Sequence, residues 1–378
     1  MLSHQETYFA PGRVNLIGEH IDYNGGLVMP IAIDLGIKGA YKPREDREIC
    51  LHSTTHEKHI EFSIDKIPSQ YETGNDWCNY PIGIIYALQK SGVQFSGFDL
   101  LFDSTLPEGT GLSSSAAIEV LTAYILKHQA GIEIDLPSLA IFCQQVENEF
   151  IGVKCGIMDQ FAVANCKKDH ALLLNCNTLD FEHIPFELDD YSLLVINSRK
   201  PRSLIKSAYN ERKAESEEAV SQLVKAGELK ETQYLVDAEM ESIHLITDEN
   251  IRRRARHVIS ENIRVKHAAT SLRVGDLHTF GRLMNASHQS MKDDYEITGV
   301  EMDTLAETAQ NIEGCLGARM TGGGFGGCAT ALVKKTRIAA FTDILSKRYY
   351  VVTGLSCEVY PCEAKDGVAK QAAPMELK

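Results

Sequence analysis

The loop Pro107-Glu-Gly-Thr-Gly-Leu-Ser-Ser-Ser-Ala116 and the apolar run after it constrain this chain more than any other segment. A glycine-rich turn feeds a long apolar helix that Gly131 stops. Glycines let backbone N–H groups approach phosphate oxygens closely, and the helix adds its free N-terminal donors and positive dipole end. Three consecutive serines at the helix start supply hydroxyls for phosphate or for Mg²⁺. The loop lacks the Gly-Lys-Ser/Thr ending of a Walker A motif and is not G-x-G-x-x-G. An ordinary capped helix after a turn uses the same residue types, so on the loop alone the two readings stand level.

Three other clusters carry potential chemistry. The segment GRVNLIGEHIDYNGG (12–26) packs Arg13, Glu19, His20 and Asp22 between turn-forming glycines. Carboxylates and a histidine on one tight loop can bond several hydroxyls of a polyol, and Arg13 can stabilise charge on a transferring phosphoryl group. The plain alternative is a solvated, salt-bridged turn. In GIMDQ (156–160), Asp159 is flanked by apolar residues, which predicts partial burial. Such a carboxylate either accepts a proton from a substrate hydroxyl or caps a helix or turn. In MTGGGFGG (320–327), the glycines require close backbone approach or repeated positive φ. What they approach is a nucleotide, a sugar or another strand.

At 378 residues the chain exceeds one ordinary core, so two domains are expected, 1–180 and 181–378. Strand patterns occur in YFAPGRVNLIG, GGLVMPIAIDLGIKGAYKP, FSGFDLLFDSTLP, HALLLNC, YSLLVINS and CEVYP. Helical spacing is seen at 79–92, from Ser138 to Gly152, through the charged stretch 203–285, and near 301–313 and 337–349. The net charge of −14 disfavours nucleic acid and anionic membranes as partners, although a local basic site for phosphates remains compatible with it. The ten cysteines form no C-x-x-C pair and no zinc-spaced cluster, so reduced thiols are expected. The opening MLSHQETYFAPGR lacks the regions of a signal peptide, and no apolar run is long enough to span a bilayer, which predicts a cytoplasmic chain.

Taken in order, these segments resemble the GHMP kinase superfamily. The central loop is similar to its P-x-G-x-G-L-S-S-S-A signature and the late glycine cluster to its third motif. GRVNLIGEHIDYNGG is similar to the signature of the galactokinase branch. DWCNYPIG (76–83), VENEFIGVKCGIMDQ (146–160), SAYNERK (207–213), RARHVISEN (254–262) and SHQSMKDDYEIT (287–298) extend that likeness over nearly the whole chain. One departure is Ile21, where the family often has Thr.

The resemblance implies an α+β chain of two domains, the first like ribosomal protein S5 domain 2 and the second ferredoxin-like, with the active site in the cleft between them. It implies ATP-dependent phosphorylation of the anomeric hydroxyl of α-D-galactose. Asp159 would be the catalytic base, with Arg13 beside it. Glu19, His20, Ile21 and Asp22 would form the sugar-binding stretch, closed by Tyr209. Gly109, Thr110, Gly111, Leu112, Ser113, Ser114 and Ser115 would wrap the ATP phosphates, Ser115 and Glu147 would hold Mg²⁺, and Trp77 and Tyr80 would lie near the adenine. Whether Asp159 removes the proton or only orients the hydroxyl stays open. The expected partners are a small-molecule sugar and ATP, with no nucleic acid and no membrane, and the expected state is a monomer. Kinases of related sugars and a non-catalytic galactose/ATP sensor are the alternatives, and the intact Ser113-Ser114-Ser115-Ala116 run favours the enzyme. A dehydrogenase is disfavoured because no strand–GxGxxG–helix unit is present.

Overall fold

The alternation of apolar runs and turn residues at the start of the chain forms strands β1 (Glu6–Asn15), β2 (Leu27–Val28), β3 (Pro30–Pro43), β4 (Glu48–Ser53) and β5 (Ile60–Ser63) in the computed structural model, which describes residues 6–107, 109–200 and 205–372. Helix α1 (Asn79–Lys90) and strand β6 (Phe98–Ser104) follow, then helices α2 (Ser114–Gln129), α3 (Leu136–Val146) and α4 (Met158–Asn165). Strands β7 (His170–Asn175), β8 (Phe181–Pro185) and β9 (Tyr191–Asn197) lead to helices α5 (Ile205–Lys225), α6 (Glu249–Arg273), α7 (Leu277–Ser290) and α8 (Gly299–Gln310). The chain ends with β10 (Cys315–Thr321), β11 (Cys328–Lys334), helix α9 (Ile338–Thr353) and strands β12 (Glu358–Cys362), β13 (Ala364–Lys365) and β14 (Ala369–Gln371). Glu108 of the glycine loop and residues 203–204 of the expected helical stretch lie outside the described residues.

Two sheets carry the fold. The first runs β14-β1-β3-β6-β4-β5, with β13 on β3. Helix α2 packs against β1, β3, α1, α3 and α4, which is why its residues are apolar on nearly every side. The second sheet runs β10-β11-β9-β12, antiparallel throughout. With α8 and α9 as its crossovers, β9-α8-β10-β11-α9-β12 is a ferredoxin-like βαββαβ unit. Among the described residues no helix is long and apolar enough to cross a membrane, and all ten cysteines are free thiols.

The expected division at residue 180 falls between β7 and β8. It cuts the β7–β8 hairpin, and strands β13 and β14 return to pair with β3 and β1. The first sheet is therefore completed by the end of the chain, a long-range pairing that no local pattern encodes.

Two local irregularities aim side chains at the crevice. A register shift in the β1–β3 ladder between Pro11 and Arg13 lets the Arg13 amide bond Leu112 O at 3.1 Å. The helix expected from 138 to 152 passes at Glu147 into a single π turn (Glu147–Ile151), closed by Gly152 in the left-handed region.

Candidate active site

Arg13 and Asp159, far apart in sequence, form the centre of the crevice. Arg13 Nε and Nη2 donate to the two Asp159 carboxylate oxygens at 2.9 and 2.8 Å, and Nη1 donates to Gly111 O at 2.7 Å. Ser113 Oγ donates to Asp159 Oδ2 at 2.6 Å. Ser113 itself has φ of 64°, a strained conformation for a residue with a Cβ, and no side chain caps the first turn of α2. The amides opening α2 are thereby left to face the crevice.

A cavity of about 420 Å³ is lined by Arg13, Glu19, His20, Asp22, Glu147, Asp159 and Tyr209, together with Gly109, Gly111 and Ser113–Ser115. Glu19 is 1% exposed; its Oε1 accepts from Gly322 N at 2.8 Å and its Oε2 from Asn15 Nδ2 at 3.0 Å. Burial, then the charge of Asp159, pushes the Asp22 carboxyl up to about 7. A Cβ on Gly156 would lie 1.9 Å from Asp22 Oδ2, so only glycine lets that backbone sit against the carboxylate. His20 Nε2 lies 3.2 Å from the Gly323 carbonyl and Nδ1 lies 2.7 Å from Tyr23 Oη. A carbonyl only accepts, so Nε2 carries the proton and Tyr23 donates to Nδ1. Burial lowers the ring's pKa to about 3, which keeps it neutral.

Some expected ligands are placed otherwise. Ile21 is fully buried in the core against Gly26, so its side chain cannot touch a ligand in the cavity. The Leu112 side chain is also core, and the Thr110 hydroxyl donates to Pro107 O at 2.8 Å; neither residue lines the cavity. His20 faces the cavity with both ring nitrogens already committed to protein partners.

A second cavity of about 350 Å³ shares Tyr80, Gly109, Ser114 and Ser115 with the first. Trp77, His56, Phe102 and Ile37 make its walls, and Trp77 Nε1 has no partner among the described residues. In the wall of the first cavity, Glu147 accepts from Gln160 Nε2 and is bonded by the Ser115 hydroxyl. Its carboxyl is pushed up to about 7, first by burial and then by Asp159. A buried carboxylate beside a second carboxylate and a hydroxyl is an oxygen donor set that fits Mg²⁺.

Sequence reasoning missed Arg319, Glu119 and Gln160. Arg319 is fully buried on β10, and Glu119 is fully buried on α2 with its Oε2 accepting from Gln160 Nε2 at 3.3 Å. A signal was present for Arg319 and Glu119, since each is a charged residue inside an apolar run (GARMT, AAIEVLT).

Comparison with known proteins places these features. The family model described as "Galactokinase galactose-binding signature" matches residues 3–43, "GHMP kinases N terminal domain" matches 79–167 and "GHMP kinases C terminal" matches 268–351. The galactokinase of Staphylococcus carnosus is 46% identical over 364 residues, 95% of this chain and 93% of that protein. That of Fusobacterium nucleatum is 45% identical over 370 residues, 97% and 95% of the two chains. The crystal structure of Lactococcus lactis galactokinase complexed with galactose superposes with a TM-score of 0.93 at 42% identity, covering 97% of this chain and 95% of that one. Methanococcus jannaschii mevalonate kinase shares the fold at a TM-score of 0.72 and 20% identity, covering 96% and 99%. With matches that run almost end to end in both sequence and fold, this chain belongs to the galactokinase family of GHMP kinases.

Proposed function

We propose that the chain transfers the γ-phosphoryl group of ATP to the anomeric hydroxyl of α-D-galactose, giving galactose 1-phosphate and ADP. The observation that carries this reading is the position of Asp159. It lies where the carboxylate-lined cavity meets the serine loop, held by Arg13 and Ser113.

Phosphoryl transfer asks a protein mainly for positioning and charge neutralisation. The larger cavity takes the sugar: Glu19 and Asp22 accept from its hydroxyls, while His20 and Tyr209 form a wall with ring centroids 5.1 Å apart. Asp159 accepts from the anomeric hydroxyl, and the Arg13 guanidinium faces the transferring group. The amides of Gly109, Gly111 and Ser113–Ser115 surround the phosphates, with the Ser113 hydroxyl spent on Asp159. Ser115 and Glu147 would hold Mg²⁺, which supplies charge neutralisation on the triphosphate when bound. The apolar cavity takes the adenine. For the domains, we propose a first unit that includes β13 and β14 and a second built on β9–β12, the chain acting as a monomer.

Galactose-dependent ADP release, absent without Mg²⁺ and weaker with glucose, arabinose, galactosamine and N-acetylgalactosamine, is the expected result of a coupled assay. Equal rates with glucose or arabinose would overturn the galactose assignment.

Trp77 gives a separate expectation for the nucleotide. It packs edge-on against Phe102, with centroids 5.6 Å apart, and walls the apolar cavity. Loss of base stacking costs about 1–3 kcal/mol. Trp77→Ala should therefore raise KM for ATP about 10- to 100-fold and leave KM for galactose within about threefold. Initial rates with each substrate varied in turn provide the check.

A further inference from the structure

Arg319 is among the largest side chains that the structure buries completely. Its Nη1 donates to Asn15 O at 3.1 Å, and its Nη2 lies 3.4 Å from Glu19 Oε1 and 3.5 Å from Met291 Sδ. A buried guanidinium is unfavourable unless its charge is matched, and Glu19 is the carboxylate it meets. Three residues on, the Gly322 amide bonds the same carboxylate at 2.8 Å, and Thr321 Oγ1, two residues on, donates to Asn15 O at 2.9 Å. The glycine-rich segment, whose partner was open from sequence, thus approaches the acidic loop.

We propose that Arg319 is a positioning residue for the sugar subsite, holding the Glu19 carboxylate in place as an acceptor that faces the cavity. The proposal rests on the reading of Glu19 as a sugar ligand. Several charged and titratable groups face Glu19. Arg13 lies on β1, Asp22 on its own loop, Arg319 on β10, and His257 on α6 donates to Glu19 O at 3.1 Å. Glu261, also on α6, bonds the Gly18 amide at 2.9 Å. His257 is kept neutral by burial, and Arg13 is already paired in a fork with Asp159. Arg319 is therefore the cation that meets Glu19 without being forked to another carboxylate, although its charge also reaches Glu261. Burial raises the Glu19 carboxyl, and the charge of Arg319 is the strongest influence drawing it back.

The test is steady-state kinetics on Arg319→Met, Glu19→Gln and the double variant between pH 6 and 9, with thermal unfolding recorded for each. Arg319→Met should raise KM for galactose about 10- to 100-fold at pH 7. Its kcat and KM for ATP should stay within about threefold of wild type. Without the guanidinium, Glu19 ionises at higher pH, so KM for galactose should fall as pH rises, over a window displaced upward from wild type. The double variant should bind galactose no worse than Glu19→Gln, because Arg319 acts through Glu19. An unchanged galactose KM in Glu19→Gln would overturn the sugar reading of Glu19 and this proposal with it. A raised KM in Glu19→Gln, combined with a wild-type galactose KM and pH profile in Arg319→Met, would overturn this proposal alone. Should Arg319→Met not fold, Arg319→Gln, which keeps a polar donor but carries no charge, decides: a rise in KM for galactose but not for ATP supports the assignment, and wild-type values for both defeat it.

Discussion

Asp159→Asn and Asp159→Ala are expected to lose at least about 10³-fold in kcat while still binding galactose. Asp159 accepts from Arg13 Nε, Arg13 Nη2 and Ser113 Oγ, so its position is determined by three donors on two different elements. Asn keeps one acceptor for Arg13 but can neither take a proton nor complete the fork. Ala removes both functions and leaves the nearly buried guanidinium with only Gly111 O as a hydrogen-bond partner among the described residues. The two variants should therefore be alike in turnover and differ in stability, Ala being worse by roughly 3 kcal/mol, the scale for orphaning a buried ion. Calorimetric titration with galactose should find a Kd within about tenfold of wild type, because Glu19 and Asp22, the other acceptors proposed for the sugar, are untouched. Turnover near wild type in either variant would remove Asp159 from the reaction. An Asn variant that keeps a tenth of wild-type kcat would mean that orienting the hydroxyl, not accepting its proton, is the carboxylate's main task.

The sequence made the order of elements legible because each carries its own local signal. Gly92 follows α1 in the left-handed region, Asp135 caps α3 by accepting from Ser138 N, and the apolar run 116–126 could only be an interior helix. The four motif segments were legible for the same reason: glycine and short polar residues announce unusual backbone. What stayed hidden were pairings and directions. Nothing local to Ile21 says that it points into the core while Glu19 and Asp22 face the cavity; that follows from how the loop docks on α6 through Gly18, Leu27 and Glu19 O. His20 reads as a ligand until Tyr23 and Gly323 are seen to hold both its nitrogens. Gly322 and Glu19 are 303 residues apart, and the return of β14 to β1 spans nearly the full chain. Composition carries no record of such contacts.

Glu147→Gln should push stability and activity in opposite directions. Glu147 sits in the π turn after α3 with Asp159 and the buried Glu119 as its acidic neighbours, and burial followed by Asp159 raises its carboxyl from 4.5 to about 7. An unfolded chain loses this proton near 4.5 and the folded one near 7, so between those values the folded state binds more protons. Stability then falls as pH rises through that window, by up to about 3 kcal/mol in the absence of metal. Glutamine keeps the acceptor for Gln160 Nε2 and has no proton to lose. The variant's melting temperature should match wild type near pH 5 and exceed it above pH 7, with Mg²⁺ left out. The same substitution removes a charged oxygen from the proposed Mg²⁺ site. It should lower kcat/KM for MgATP by about 10²- to 10³-fold, with partial recovery as Mg²⁺ is raised. Differential scanning fluorimetry at pH 5, 7 and 8 and a Mg²⁺ titration of the rate separate the two effects. A variant that melts below wild type at every pH would show the carboxylate to be a net structural partner, and unaltered Mg²⁺ dependence would take Glu147 out of the metal site.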